Sequence, residues 1–279
     1  MKQITLDECA LYSPWPARLL ALNPKEFTKN KEDIDREYNQ DKWGSLFQYL
    51  NDNTNANIID ADHLMMGQGQ DLVCLHQGQI WLAHNEEIRN HYLSELSVYL
   101  QKYKSQSLVE LGAGYGHILI NLCHQKLITP EQIFALELTE NGQNCAKILA
   151  NRHQLSINVG FCDLSLPQIT RHEIPENSTI FTSYSACYLK SFDGFVEKMK
   201  TLKPNYVIHF EPMNTPNPST LLDLLQNKYS LLNHYNSTIE QYLHIQENLG
   251  QIQIIEKSDS LFSACFLLPV RCIVWKPLF

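Results

Sequence analysis

Beyond residue 105, short apolar blocks alternate with polar or glycine-bearing turns in a way that predicts strands separated by helices. Residues 107–109, 133–137, 157–161, 178–182 and 206–211 are runs rich in Val, Ile, Leu and Phe. Runs of this kind, bounded by turns, read as short strands. Residues 117–122 and 192–202 carry helical spacing between the runs, and Pro212 is expected to end the fifth strand. Residues 221–225 and 239–245 then predict two helices, and 251–257 and 270–275 two further strands joined by a loop.

The first hundred residues follow a different pattern. Pro14, Pro16 and Pro24 punctuate the start, while Ile34, Tyr38, Leu46, Phe47 and Leu50 recur at near-helical spacing. Residues 51–57 are a polar break. Residues 71–75 and 79–83 predict two strands around His76-Gln77-Gly78, and a helix follows from about 86 to 103. Its expected N-cap is Asn85, and Ile88, Tyr92, Leu96 and Leu100 make its apolar stripe. The organisation expected is a mainly helical cap with a hairpin and lead-in helix over 1–104, and a core over 105–279 with a helical insertion at 212–250.

Composition narrows the class without naming a function. The chain has 279 residues, 44% of them hydrophobic, with a formal charge of −8. That charge repels phosphate and argues against nucleic acid as a partner. The densest basic stretch, 25–31, is followed at once by Glu32, Asp33 and Asp35, which reads as a solvated helix face. Eight cysteines without a C-x-x-C predict neither a zinc ribbon nor a disulfide scaffold, and point to a reducing cytoplasm. No apolar run approaches the ~20 residues of a membrane helix. Oligomeric state is not legible.

The chemistry concentrates at Glu110-Leu111-Gly112-Ala113-Gly114-Tyr115-Gly116, a strand running through a glycine turn into a helix. Such a turn lets backbone approach a ligand that faces the helix N-terminus. The spacing is G-x-G-x-G, whereas the dinucleotide fingerprint requires G-x-G-x-x-G and position 117 is His. Glu110 would repel a diphosphate and attract a cation.

On these residues the chain resembles the class I S-adenosylmethionine-dependent methyltransferases, whose first motif is an acid followed by G-x-G-x-G. The resemblance implies a Rossmann-like seven-stranded sheet with the last strand antiparallel, S-adenosylmethionine as cofactor, and a site assembled from strand ends. Glu110, Gly112, Ala113, Gly114 and Gly116 match the first motif. Glu137, with Leu138, stands where a carboxylate takes the ribose hydroxyls. Asp163, with Cys162 and Leu164, stands where an acid receives the adenine amino group, and Ser183 joins the set at the end of the fourth strand.

On the acceptor side the expected catalytic groups are Tyr184, His209 and Glu211. His209 and Glu211 alternate along the fifth strand and so share a face. They are read as a base or acceptor-binding pair, against the alternative of a satisfied buried histidine with Glu211 capping the next turn. A metal on that pair lacks an identifiable third ligand, and no metal is expected. Tyr38 and Trp43, with Asp41 and Lys42, are candidates for an aromatic lid, or else ordinary core. Residues 65–69 are either an adaptable loop at the cleft or a surface connection. The function expected is methyl transfer to a small molecule or peptide-like metabolite, oxygen slightly ahead of nitrogen. The alternatives are a nicotinamide-dependent oxidoreductase and a methyltransferase-like binding protein without turnover.

Overall fold

The structure, a computed structural model, describes residues 1–14, 19, 35–166, 168–170, 173–258 and 261–279. Pro16, Pro24, Ile34 and the basic stretch 25–31 lie outside the described residues.

A seven-stranded sheet forms the centre. After the two-residue β1 (Lys2–Gln3) and the hairpin β2 (Asp71–His76) and β3 (Gln79–His84) come the sheet strands β4 (Ser107–Leu111), β5 (Gln132–Glu137), β6 (Ile157–Phe161) and β7 (Thr179–Ser183). They are followed by β8 (Tyr206–Pro212), β9 (Ile252–Ser258) and β10 (Val270–Pro277). The spatial order is β6-β5-β4-β7-β8-β10-β9, with β4 through β8 parallel and β10 antiparallel between β8 and β9. The chain leaves β4 toward β5 and β6, then returns to the other side at β7. This reversal opens a crevice at the carboxyl ends of β4 and β7, where open α/β sheets bind ligands. Pro212 is the last residue of β8, where the strand was expected to end, and it pairs with Val270.

Helices cover both faces. They are α1 (Cys9–Tyr12), α2 (Gly44–Asp52), α3 (Ile58–Met66), α4 (Asn85–Lys102), α5 (His117–His124) and α6 (Glu140–Arg152), then α7 (Phe195–Thr201), α8 (Leu221–Leu232) and α9 (Ile239–Asn248). In α4 the expected stripe Ile88, Tyr92, Leu96 and Leu100 is buried, packed in one cluster with Phe181, Ile208 and Phe210 of the sheet. Burying a side chain of that size contributes about 1.5–3 kcal/mol, which holds a long lead-in helix against the core. The N-cap is His84, one residue earlier than expected, in a capping box with Glu87. Asn85 instead opens the helix and turns its amide back to the carbonyls of Met66 and Gly67.

The elements before β4 attach to the rest of the fold at two places. Leu46, Leu50, Ile58 and Ala61 from α2 and α3 pack with Tyr115, Ile120, Cys145 and Leu149 of α5, α6 and the glycine turn. The hairpin turns through Gln77 and Gly78, both at positive φ (49° and 72°), as a tight two-residue connection demands. Its strands pack against Phe266, Leu267, Leu268 and Tyr229, and Leu75 bridges to Ser263. Ahead of α2, residues Asp35–Trp43 wind as a π-helix, which carries Tyr38 and Trp43 toward the crevice. No described helix is long and apolar enough to cross a membrane.

Candidate cofactor and acceptor site

A cavity of about 730 Å³ occupies the crevice. Its floor is the turn after β4, where Gly112, Gly114 and Gly116 all have positive φ. A Cβ at Gly112 would stand 2.4 Å from the Ser185 Cβ, so the turn passes the β7 loop at a distance only glycine allows. The Gly112 and Ala113 amides donate to the Leu136 carbonyl at 2.8 and 3.0 Å, which pins the turn to β5.

Three carboxylates lie along the sheet order. Asp163, after β6, accepts from the Ser165 amide (3.0 Å) and hydroxyl (2.5 Å). Glu137, at the end of β5, accepts from the Gly114 amide at 2.9 Å and from the Thr139 amide and hydroxyl at 3.0 and 2.8 Å. Burial still raises its pKa. Glu110, in β4, is 2% exposed, and its Oε2 has no hydrogen-bond partner among the described residues. Burial, reinforced by nearby Glu137, pushes its pKa well above the usual carboxylate range. A buried, unpartnered carboxylate oxygen at a cavity wall is a costly arrangement that a cationic ligand would relieve.

The expected residues Ala113, Leu138, Cys162, Leu164, Ser183 and Tyr184 all line this cavity with the three acids, Gly112 and Gly114. Gly116 is not among the lining residues; it caps the N-terminus of α5. Tyr184 follows β7 at φ 50°, with its hydroxyl 3.1 Å from that of Ser263 and its ring beside Tyr92. Tyr38, Trp43, Tyr115 and Tyr188 supply an aromatic wall, and the Tyr38 and Tyr188 hydroxyls touch across it. Residues 65–69 are not part of the lining: Met65 and Met66 end α3, and the turn beyond connects to β2.

His209 and Glu211 share a face of β8 as expected, but that face is sealed. Neither lines the cavity, and both are 0% exposed. The Trp275 Nε1–H donates to His209 Nε2 at 3.0 Å, so Nδ1 carries the proton and faces Thr182 Oγ1 at 2.9 Å. Burial drives the His209 pKa down to about 3. Glu211 accepts from the Ser185, Ala186 and Cys187 amides at 3.1, 2.9 and 3.3 Å. The catalytic expectation for this pair is therefore corrected. Both faces of β8 are packed under helices: Glu211 braces the segment after β7, His209 bridges Thr182 and Trp275, and neither side chain opens onto the cavity. Among the described residues no group of three or more His, Cys, Asp or Glu is placed to hold a metal ion.

Tyr115 and His117 were not anticipated as cavity lining, because they join Ser185 and Tyr188 there only through the way the turn and the β7 loop are packed. Asn39 was missed too. It accepts from the Asn141 backbone and side chain at 2.9 Å each, clasping the π-helix to α6.

Comparison with solved structures decides the architecture. The mitomycin 7-O-methyltransferase MmcR superposes with a TM-score of 0.52 at 12% identity, covering 95% of this chain and 69% of its own. The fold is that of the class I methyltransferases. The pyocyanin biosynthetic protein PhzM shares the class I fold at a TM-score of 0.50 and 13% identity, over 88% of this chain and 71% of its own. A methyltransferase from Aquifex aeolicus described as SAM-dependent covers 69% of this chain and 98% of its own at 16% identity, with a TM-score of 0.45. No family model matches the sequence, and no curated protein matches it.

Proposed function

We propose that this protein binds S-adenosylmethionine in the cavity and transfers its methyl group to a small molecule or peptide-like metabolite. The observation that carries the reading is Glu110. A buried carboxylate whose Oε2 lacks a partner beside a glycine turn fits a ligand bearing a cationic amino-acid end. The donor set fits the rest of the cofactor in sheet order. Asp163 with Cys162 and Leu164 would hold the adenine, Glu137 with Leu138 the ribose, and Glu110 with the Gly112–Gly114 backbone the amino-acid end. Bound there, S-adenosylmethionine supplies an electrophilic methyl carbon on a sulfonium sulfur.

The chain's own part is positioning and exclusion of water, which is where much of the barrier to an in-line displacement can be removed. Tyr184, just after β7, would orient the acceptor beside the cofactor-side Ser183, and Tyr38, Trp43 and Tyr188 would shut water out. The polar groups on this side are largely hydroxyls, suited to hydrogen-bonding a hydroxyl acceptor, so we favour oxygen over nitrogen. The name of the fold neighbour MmcR, an O-methyltransferase, points the same way. In this reading residues 1–104 serve as the cap that selects the acceptor.

Titration calorimetry tests the reading, using S-adenosylmethionine, S-adenosylhomocysteine and NADH. Micromolar binding of both sulfur compounds is expected, with Glu110→Gln weakening S-adenosylmethionine by roughly 10- to 100-fold, the range of one charge-assisted hydrogen bond. Preference for NADH, or binding of neither sulfur compound, would overturn it.

A further inference from the structure

We propose that Asp62 of α3 is a positioning residue through which the cap shapes the amino-acid end of the cofactor cavity; this rests on the cofactor reading above. The Asp62 carboxylate is fully buried between cap and core. Its Oδ2 accepts from Arg89 Nη1 of α4 at 3.0 Å and from Asn121 Nδ2 of α5 at 2.9 Å. Its Oδ1 accepts from the Tyr115 hydroxyl at 2.8 Å and lies 3.4 Å from His117 Nδ1. Burial alone would raise the Asp62 pKa, but the nearness of His117 and the hydrogen bonds of Asn121 and Tyr115 outweigh it and hold the carboxyl below its usual range.

Two of these contacts, Tyr115 and His117, line the cavity, and both flank Gly116 at the turn after β4. That turn sits next to Glu110 of β4, beyond Glu137 of β5 from the Asp163 side in sheet order. An adenosine held by Asp163 and Glu137 therefore directs its amino-acid tail toward Tyr115 and His117. The Tyr115 ring lies 5.1 Å from Trp43 and 5.6 Å from His117 while its hydroxyl is held by Asp62, so this one side chain joins the cavity wall to the buried carboxylate. Releasing that hydroxyl frees the wall at the tail and leaves the adenosine contacts in place.

The consequence is a selective loss. S-adenosylhomocysteine carries the amino-acid tail, and 5′-methylthioadenosine keeps the adenosine and the thioether without it. Asp62→Asn and Tyr115→Phe are expected to weaken S-adenosylhomocysteine at least fivefold by calorimetry while changing 5′-methylthioadenosine less than twofold. Asp62→Asn leaves Arg89 without its counter-charge and risks misfolding. Tyr115→Phe removes a single hydroxyl, and with its melting temperature within a few degrees of the unaltered protein it decides the matter alone. Equal losses for the two probes, or no loss for either, would overturn the inference, since general loosening of the cap does not distinguish the tail. If the unaltered protein binds neither probe, the cofactor reading itself falls.

Discussion

Glu110 and His209 are both buried titratable residues in the sheet, yet their surroundings give them opposite parts. Glu110 faces the cavity with an unpartnered oxygen, whereas His209 is closed between Trp275 and Thr182 with every ring nitrogen engaged. The pKa of His209 is depressed to about 3, so the unfolded chain takes up a proton near pH 6.5 that the folded chain refuses. The stability from this group is therefore present above pH 6.5 and lost as pH falls from there toward 3. Replacing His209 with Gln should flatten that part of the stability-against-pH curve, measured by urea unfolding at several pH values, while leaving S-adenosylhomocysteine affinity within about threefold. An unchanged slope would remove His209 from the acid response. The alternation of 209 and 211 was legible in the sequence. That their shared face is packed was not, because a two-residue period says which side chains go together but not what covers them.

Between elements, the π-helix Asp35–Trp43 is the part of the cap that meets the cavity directly. It is clasped by the paired Asn39–Asn141 hydrogen bonds to the start of α6, by the Tyr38–Tyr188 contact across the wall, and by Trp43 over the Gly114 turn. Two hydrogen bonds of this kind are worth roughly 1–3 kcal/mol together. Asn141→Ala removes only the side-chain bond of the pair and keeps the backbone donor, so it should speed release of S-adenosylhomocysteine roughly 2- to 10-fold in stopped-flow measurements, with the association rate little changed. A dissociation rate equal to that of the unaltered protein would show that the π-helix does not retain the ligand. The sheet strands were readable to within a residue or two because buried parallel strands are marked by continuous apolar runs bounded by turns. The π-helix was not, since Tyr38 and Trp43 fit ordinary helical spacing and only tertiary contact gives them a cavity to face.

For the whole molecule, a ligand that binds only the folded state stabilises it by mass action. At 100 times its dissociation constant the gain is about 2.7 kcal/mol, which for a chain of this size corresponds to a rise in melting temperature of roughly 5 °C. S-adenosylhomocysteine should produce that rise in a thermal-shift experiment, and NADH at equal concentration should not; equal shifts for both would argue for a site that does not discriminate between them. The cap and core are expected to melt as one unit, because α4 is packed into the sheet cluster and Asp62 joins α3, α4 and α5.

The sequence by itself determined the order of strands and helices, the glycine turn and the acids at three successive strand ends, since these depend on local apolar period, backbone freedom and position along the chain. Only the tertiary structure decided which polar groups face the cavity. Whether the Glu110 Oε2 atom is left without a partner, whether His209 is sealed, and whether Asp62 reaches Tyr115 all depend on how the segments pack around them, and contacts such as Asp62–Tyr115 and His209–Trp275, across 50 or more residues, leave no periodic trace in the chain that forms them.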